Sequence, residues 1–246
     1  MRYPGCAEWK GKKPEQGAEN MSEKYQENIV PAARQNKKNV FLYPGKGVRI
    51  LFAGNSITRH GLKPEIGWNR ECGMAASCLE TDYVHQFMNF AREIDPEACF
   101  GIAQVADFER NFDDPGALEM YQEAADFNAD IIIMFFGANV NKAYDADESR
   151  RGEFGAAYEK LRALLNSTGK ARIFHSAGFY IRPVLDEEKR QVAEKYGEPF
   201  IRLDEIIARD DVRGQFNHPG DVGMLEIARR FFAFAEPAIK ALAQKK

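Results

Sequence analysis

The chain alternates between short apolar runs and longer stretches in which apolar residues recur every three or four positions. "VRILFAG" (48–54), "ACFGIAQV" (98–105), "DIIIMFFG" (130–137) and "ARIFHSAG" (171–178) read as strands, and "PFIRLDEI" (199–206) opens with a fifth. "DIIIMFFG" is apolar at every second position and at the positions between. That is the pattern of a central parallel strand covered on both faces. Between the strands, "DYVHQFMNFAREI" (82–94) sets Tyr83, Val84, Phe87, Phe90, Ala91 and Ile94 at helical spacing. "PGALEMYQEAADF" (115–127) gathers Leu118, Tyr121 and Ala125 on one face, "EFGAAYEKLRALLNS" (153–167) reads as a helix, and "LDEEKRQVAEKY" (185–196) as an exposed one. The terminal helix (221–243) carries Met224, Leu225, Ala228, Phe231, Phe232 and Ala235 on one side. Strands alternating with helices predict an α/β fold: a five-stranded parallel sheet inside a three-layer α/β/α sandwich with right-handed crossovers.

Residues 1–46 lack this alternation, being polar with scattered Pro, Gly, Asn, Gln and Lys, and only "YQENIVPAARQ" hints at order. They read as an extended or partly disordered arm ahead of one domain over 47–246. The 246 residues are 44% hydrophobic, enough for one sizeable core, and the net charge of -3 offers no electrostatic case for nucleic acid. No run approaches the roughly 18 to 20 apolar residues of a membrane span, and the first residues lack an apolar secretory core. With Cys6, Cys72, Cys78 and Cys99 in no CxxC pair, the expectation is reduced thiols and a cytoplasmic protein.

In parallel sheets the ligand crevice lies at the carboxyl ends of the strands, so the residues following each strand carry the chemistry. After the first strand comes Gly54-Asn55-Ser56-Ile57-Thr58, and after the third Gly137-Ala138-Asn139. After the fifth, just before the last helix, "GQFNHPGD" carries His218. A serine hydroxyl needs an adjacent base to attack a carbonyl, and histidine is the usual one. An asparagine amide and backbone N–H groups supply the fixed donors a tetrahedral oxyanion needs.

These stretches resemble the sequence blocks of the SGNH hydrolases, also called the GDSL family. "FAGNSIT" is similar to the first block with Asn55 in place of the usual Asp, "ECGMAAS" to the second, "FFGANV" to the third and "NHPGDVGM" to the last. They stand in family order across residues 48–228. The resemblance implies a flavodoxin-like sandwich and ester or thioester hydrolysis through an acyl-serine, with no cofactor or metal. It implies Ser56 as nucleophile and His218 as base. The implied oxyanion donors are the amides of Ser56 and Gly73 and the side chain of Asn139. Two positions depart from the pattern. Val140 stands where an Asp usually follows the Asn, and Gln215 where an Asp commonly sits three residues before the histidine. The reading is therefore a Ser56–His218 dyad, its imidazole oriented by a backbone carbonyl of the preceding loop or a carboxylate from elsewhere. Asp210 and Asp211 are near in sequence only, and Asp221 reads as the N-cap of the last helix.

Other residues read as structural first. His85 lies beside the Tyr83–Val84–Phe87 face, His60 at the site rim, His175 at the end of the fourth strand, and Trp68 packs as an ordinary aromatic. Neither a P-loop nor a GxGxxG pattern is present, and the carboxylates show no metal-ligand grouping. The expected activity is hydrolysis of small soluble carboxylic esters, with O-acetyl sugars preferred. The alternatives are a non-catalytic acyl- or sugar-binding module on the same fold, kept open by Gln215, and an anion-binding flavodoxin relative.

Overall fold

The structure, a computed structural model, describes residues 38–245. Six strands form one sheet: β1 (Val40–Tyr43), β2 (Arg49–Gly54), β3 (Cys99–Gln104), β4 (Ile131–Phe135), β5 (Arg172–Ser176) and β6 (Phe200–Ile201). Among the described residues seven α-helices accompany them: α1 (Tyr83–Ile94), α2 (Ala106–Arg110), α3 (Gln122–Asp126), α4 (Glu153–Leu165), α5 (Pro183–Lys195), α6 (Asp204–Ile207) and α7 (Asp221–Ala243). The strand order is β1-β3-β2-β4-β5-β6, with β2 to β6 parallel and β1 antiparallel to β3. The expected sheet of five parallel strands thus gains an antiparallel edge. β1 falls within the stretch read as an arm; the remainder of that reading, residues 1–37, lies outside the described residues.

The period of two along the strands divides the core. Ile50, Phe52, Ile131, Ile133 and Phe135 face α1 and α7, whereas Leu51, Ala53, Ile132 and Met134 face the layer of α2 to α5. Phe87 of α1 meets Phe52 edge-on with ring centroids 5.1 Å apart, and Phe231 of α7 meets Phe135 at 5.2 Å. Every residue of β4 is buried, as its unbroken apolar run requires.

From β2 the chain crosses to β3 on one side and then returns to β4 on the other. That reversal makes the crevice beyond the carboxyl end of β2 a topological switch point. Gly54 closes β2 there: a Cβ on it would stand 1.7 Å from Thr58 Oγ1. Only glycine lets the following turn fold back this tightly. Among the described residues no helix is long and apolar enough to cross a membrane. Cys72 and Cys99 are buried free thiols, while Cys78 is disulfide-bonded, so the expectation of reduced thiols fails at Cys78.

Candidate active site

Ser56 sits in the turn after β2, half-buried, and the turn is held by its neighbours. The Asn55 carbonyl accepts from the amides of Thr58 and Arg59, and its side-chain oxygen accepts from Ile57 N at 3.2 Å. This is the local side-chain turn that Asn forms readily. Thr58 Oγ1 is 2.8 Å from Tyr83 Oη, which pins the turn to α1. The Ser56 carbonyl accepts from Met74 N at 2.8 Å, drawing the "ECGMAAS" segment alongside.

His218 arrives on a loop bent unusually hard. Phe216 and Asn217 both take left-handed backbone angles, φ 56° and 55°. Two successive non-glycine residues there cost roughly 1–2 kcal/mol each. The bend is clamped by Gly214 N donating to the His218 carbonyl at 2.7 Å and Gly220 N to that of Val212 at 2.9 Å. Its product is geometric: His218 Nδ1 lies 2.8 Å from the Phe216 carbonyl oxygen. A carbonyl only accepts, so Nδ1 carries the proton and Nε2 is left as an acceptor. Nε2 stands 2.9 Å from Ser56 Oγ, 162 residues away in sequence. Tyr180 Oη, 3.0 Å from Nδ1, shares the same proton.

No carboxylate is among the described hydrogen-bond partners of His218. Gln215 takes part through its main chain, its carbonyl accepting from His218 N at 3.0 Å. Asp211 is engaged by Arg209. Asp221 is the first residue of α7 rather than its N-cap, which is Gly220. Its carboxylate accepts from the amide and hydroxyl of Ser77, tying the "ECGMAAS" segment to α7.

Asn139 follows β4, its side-chain oxygen accepting from Arg110 Nη2 at 3.2 Å and its Nδ2 donating to Glu109. Gly73 is placed differently from its expected role. Its N–H donates to the buried Asp82 carboxylate at 3.1 Å and is not free for an oxyanion. A Cβ on Gly73 would lie 2.4 Å from the Ile57 carbonyl oxygen, so close packing against the serine turn accounts for this glycine. Two residues on, Ala75 holds a left-handed φ of 77°, and neither its amide nor that of Ser56 has an acceptor among the described hydrogen bonds.

The other histidines separate cleanly. His175 is fully buried between Tyr158 Oη at 2.7 Å and Glu198 Oε2 at 2.7 Å, a structural network rather than a pocket wall. His85 pairs with Asp82 at 2.8 Å. His60 packs edge-on against the buried Trp68 and lies near enough to His218 to influence its charge. Glu109, Tyr180 and Phe216 escaped the sequence reading. The end of the second predicted strand, which leads into Glu109, is the loop whose chemistry went unread.

Burial, first, drives the His218 imidazole from its ordinary 6.5 down to about 4. The Phe216 carbonyl bond opposes this and the neighbouring His60 adds to it. Below pH 6.5 the unfolded chain takes up a proton there that the folded one refuses. Any stability linked to His218 is therefore intact above pH 6.5 and eroded as pH falls toward about 4. If this imidazole is the base of a reaction, kcat/KM is expected to stay level from pH 8 to about 5 and to fall only below it. An acid limb centred at 6.5 or higher in a pH–rate profile would contradict the placement.

By sequence the chain matches no family model and no curated protein. Solved structures do resemble it. A family two carbohydrate esterase from Clostridium thermocellum superposes with a TM-score of 0.55 at 14% identity, covering 79% of this chain and 64% of that one. The chain thus spans somewhat less than two thirds of that esterase. An aryl esterase from M. smegmatis gives 0.52 at 17% identity, covering 80% of this chain and 100% of the other. A Bacteroides uniformis protein named as a GDSL-like lipase gives 0.52 at 16%, covering 78% and 96%. At these identities it is the architecture that is shared, and the fold of this chain is that of the SGNH, or GDSL-type, hydrolases.

Proposed function

We propose that the protein is a serine esterase acting through a Ser56–His218 dyad. One observation carries the reading: Ser56 Oγ lies 2.9 Å from His218 Nε2 while the opposite ring nitrogen is held by a carbonyl. Ser56 Oγ attacks the ester carbonyl carbon as its proton passes to Nε2. The imidazolium that forms keeps its Nδ1–H on the Phe216 carbonyl and Tyr180 Oη in place of a triad acid. The oxyanion is met by the Ser56 amide and the second N–H of Asn139 Nδ2, with the Ala75 amide as the free donor of the "ECGMAAS" turn. His218 returns its proton to the leaving alkoxide, giving the alcohol and an acyl-serine. It then deprotonates the water that attacks the acyl carbon, and the acid departs with the serine hydroxyl restored.

Small acyl esters, O-acetyl sugars foremost, are the proposed substrates, a preference supported by the likeness to a carbohydrate esterase. The test is a fluorophosphonate probe followed by peptide mapping, run beside short aryl esters and acetylated sugars. Labelling at Ser56 with turnover of at least one ester is expected. An unlabelled, inactive but folded chain would favour a binding module on the same fold.

A further inference from the structure

Glu109, near the end of the short helix α2, is fully buried, and its carboxylate is filled by donors from two loops. Oε1 accepts from Asn55 Nδ2 at 3.0 Å, from Gly137 N and, at 3.4 Å, from Asn139 N. Oε2 accepts from Asn139 Nδ2. Of these four donors three meet Oε1, the Asn139 N–H being the longest, and one meets Oε2. Two of those donors belong to Asn139, and a third, Asn55, precedes the nucleophile. Burying a charge is costly, and charge-assisted hydrogen bonds such as these offset part of that cost.

The arrangement also settles which way the Asn139 amide points. Arg110 only donates, so it selects the side-chain oxygen, and Glu109 only accepts, so it selects Nδ2. One N–H of Nδ2 is thereby spent and the other is left for a ligand. Asn55 follows the same logic. It donates to Glu109, which an aspartate, ionised beside a second buried carboxylate, would not do.

We propose that Glu109 is the positioning residue of the oxyanion site, fixing the orientation of Asn139, and that Asn55 is an asparagine because it donates to Glu109. The proposal rests on the serine-esterase reading for its kinetic consequences. The decisive experiment is a double-mutant cycle of Glu109→Gln and Asn139→Ala on the full chain, with an aryl ester as substrate. Glu109→Gln is expected to lower kcat about 10- to 100-fold with KM changed by less than about threefold. In the Asn139→Ala background the same substitution is expected to cost less than about threefold. An equal loss in both backgrounds, or no loss in a folded Glu109→Gln, overturns the proposal and leaves the esterase reading untouched. Should Glu109→Gln fail to fold, Glu109→Asp keeps the charge, withdraws it by one methylene, and enters the same cycle.

A readout independent of turnover separates the two ideas. In NMR spectra of the wild type, one Asn139 side-chain N–H proton is expected well downfield of its partner, as a donor to a carboxylate, and to return to the ordinary range in Glu109→Gln. Two equivalent, ordinary protons in the wild type would overturn the positioning role even if esters were hydrolysed. The shifted proton in a chain that hydrolyses none would uphold the positioning and reject the esterase reading.

Discussion

Ser56→Ala and His218→Ala are each expected to reduce kcat/KM on a short aryl ester by about 10⁴- to 10⁶-fold, the range over which nucleophile and base act as a unit. The two losses should be nearly equal, and the double variant little worse than either. The reason is in the geometry. Without the imidazole the Ser56 hydroxyl keeps its ordinary reluctance to ionise. Without the hydroxyl, the Nε2 that stands 2.9 Å away has only water to activate. Ser56→Ala should disturb the fold little. Ser56 is partly exposed and its side chain makes one described bond, so its removal is worth no more than about 0.5 kcal/mol. Thermal melts beside initial rates check this. Activity within tenfold of wild type in Ser56→Ala, with an unchanged melt, would remove the serine from the mechanism.

The sheet was legible wherever burial wrote itself into composition. β4 is apolar at every position because both of its faces are covered, and the helical spacing of Tyr83, Val84, Phe87 and Ala91 survives intact as the buried face of α1. β1 left no such trace. It is four residues at a sheet edge, Leu42 is exposed, and nothing in "VFLY" distinguishes it from an ordered patch in a polar stretch. β6 is two residues long, since the chain turns into α6 almost at once.

The site was legible in part for a similar reason. Ser56 and His218 follow strands at their carboxyl ends, or the short elements leading from them, and meet at 2.9 Å, while Asn139 is tied to the residue before Ser56 through Glu109. What local sequence does not encode is which partner a buried group chooses. The Phe216 carbonyl reaches His218 only because two non-glycine residues adopt left-handed angles, a conformation that "QFN" does not advertise. The Gly73 amide is diverted by Asp82, nine residues on. Glu109 in "DFER" reads as one more acid on a solvated helix, and its burial shows only in the fold, where it meets Asn55, 54 residues earlier, and the loop of Gly137 and Asn139.

Asn139→Ala is expected to lower kcat about 100- to 1,000-fold with little change in KM, because the donor it removes is needed mainly once the carbonyl oxygen has become an oxyanion. Asn139→Asp sharpens the test. It keeps the side-chain volume but turns the donor into an acceptor facing Glu109, with a second negative charge where the reaction itself develops one. Its loss should equal or exceed that of the alanine variant. It should also be the less stable of the two, since alanine only strips partners from Glu109 and Arg110, at about 1–3 kcal/mol. Single-turnover acylation rates measured alongside melting temperatures keep the two effects apart. An Asn139→Asp enzyme that acylates Ser56 at the wild-type rate would show that the oxyanion is stabilised from another direction, leaving the Ser56 and Ala75 amides as its donors.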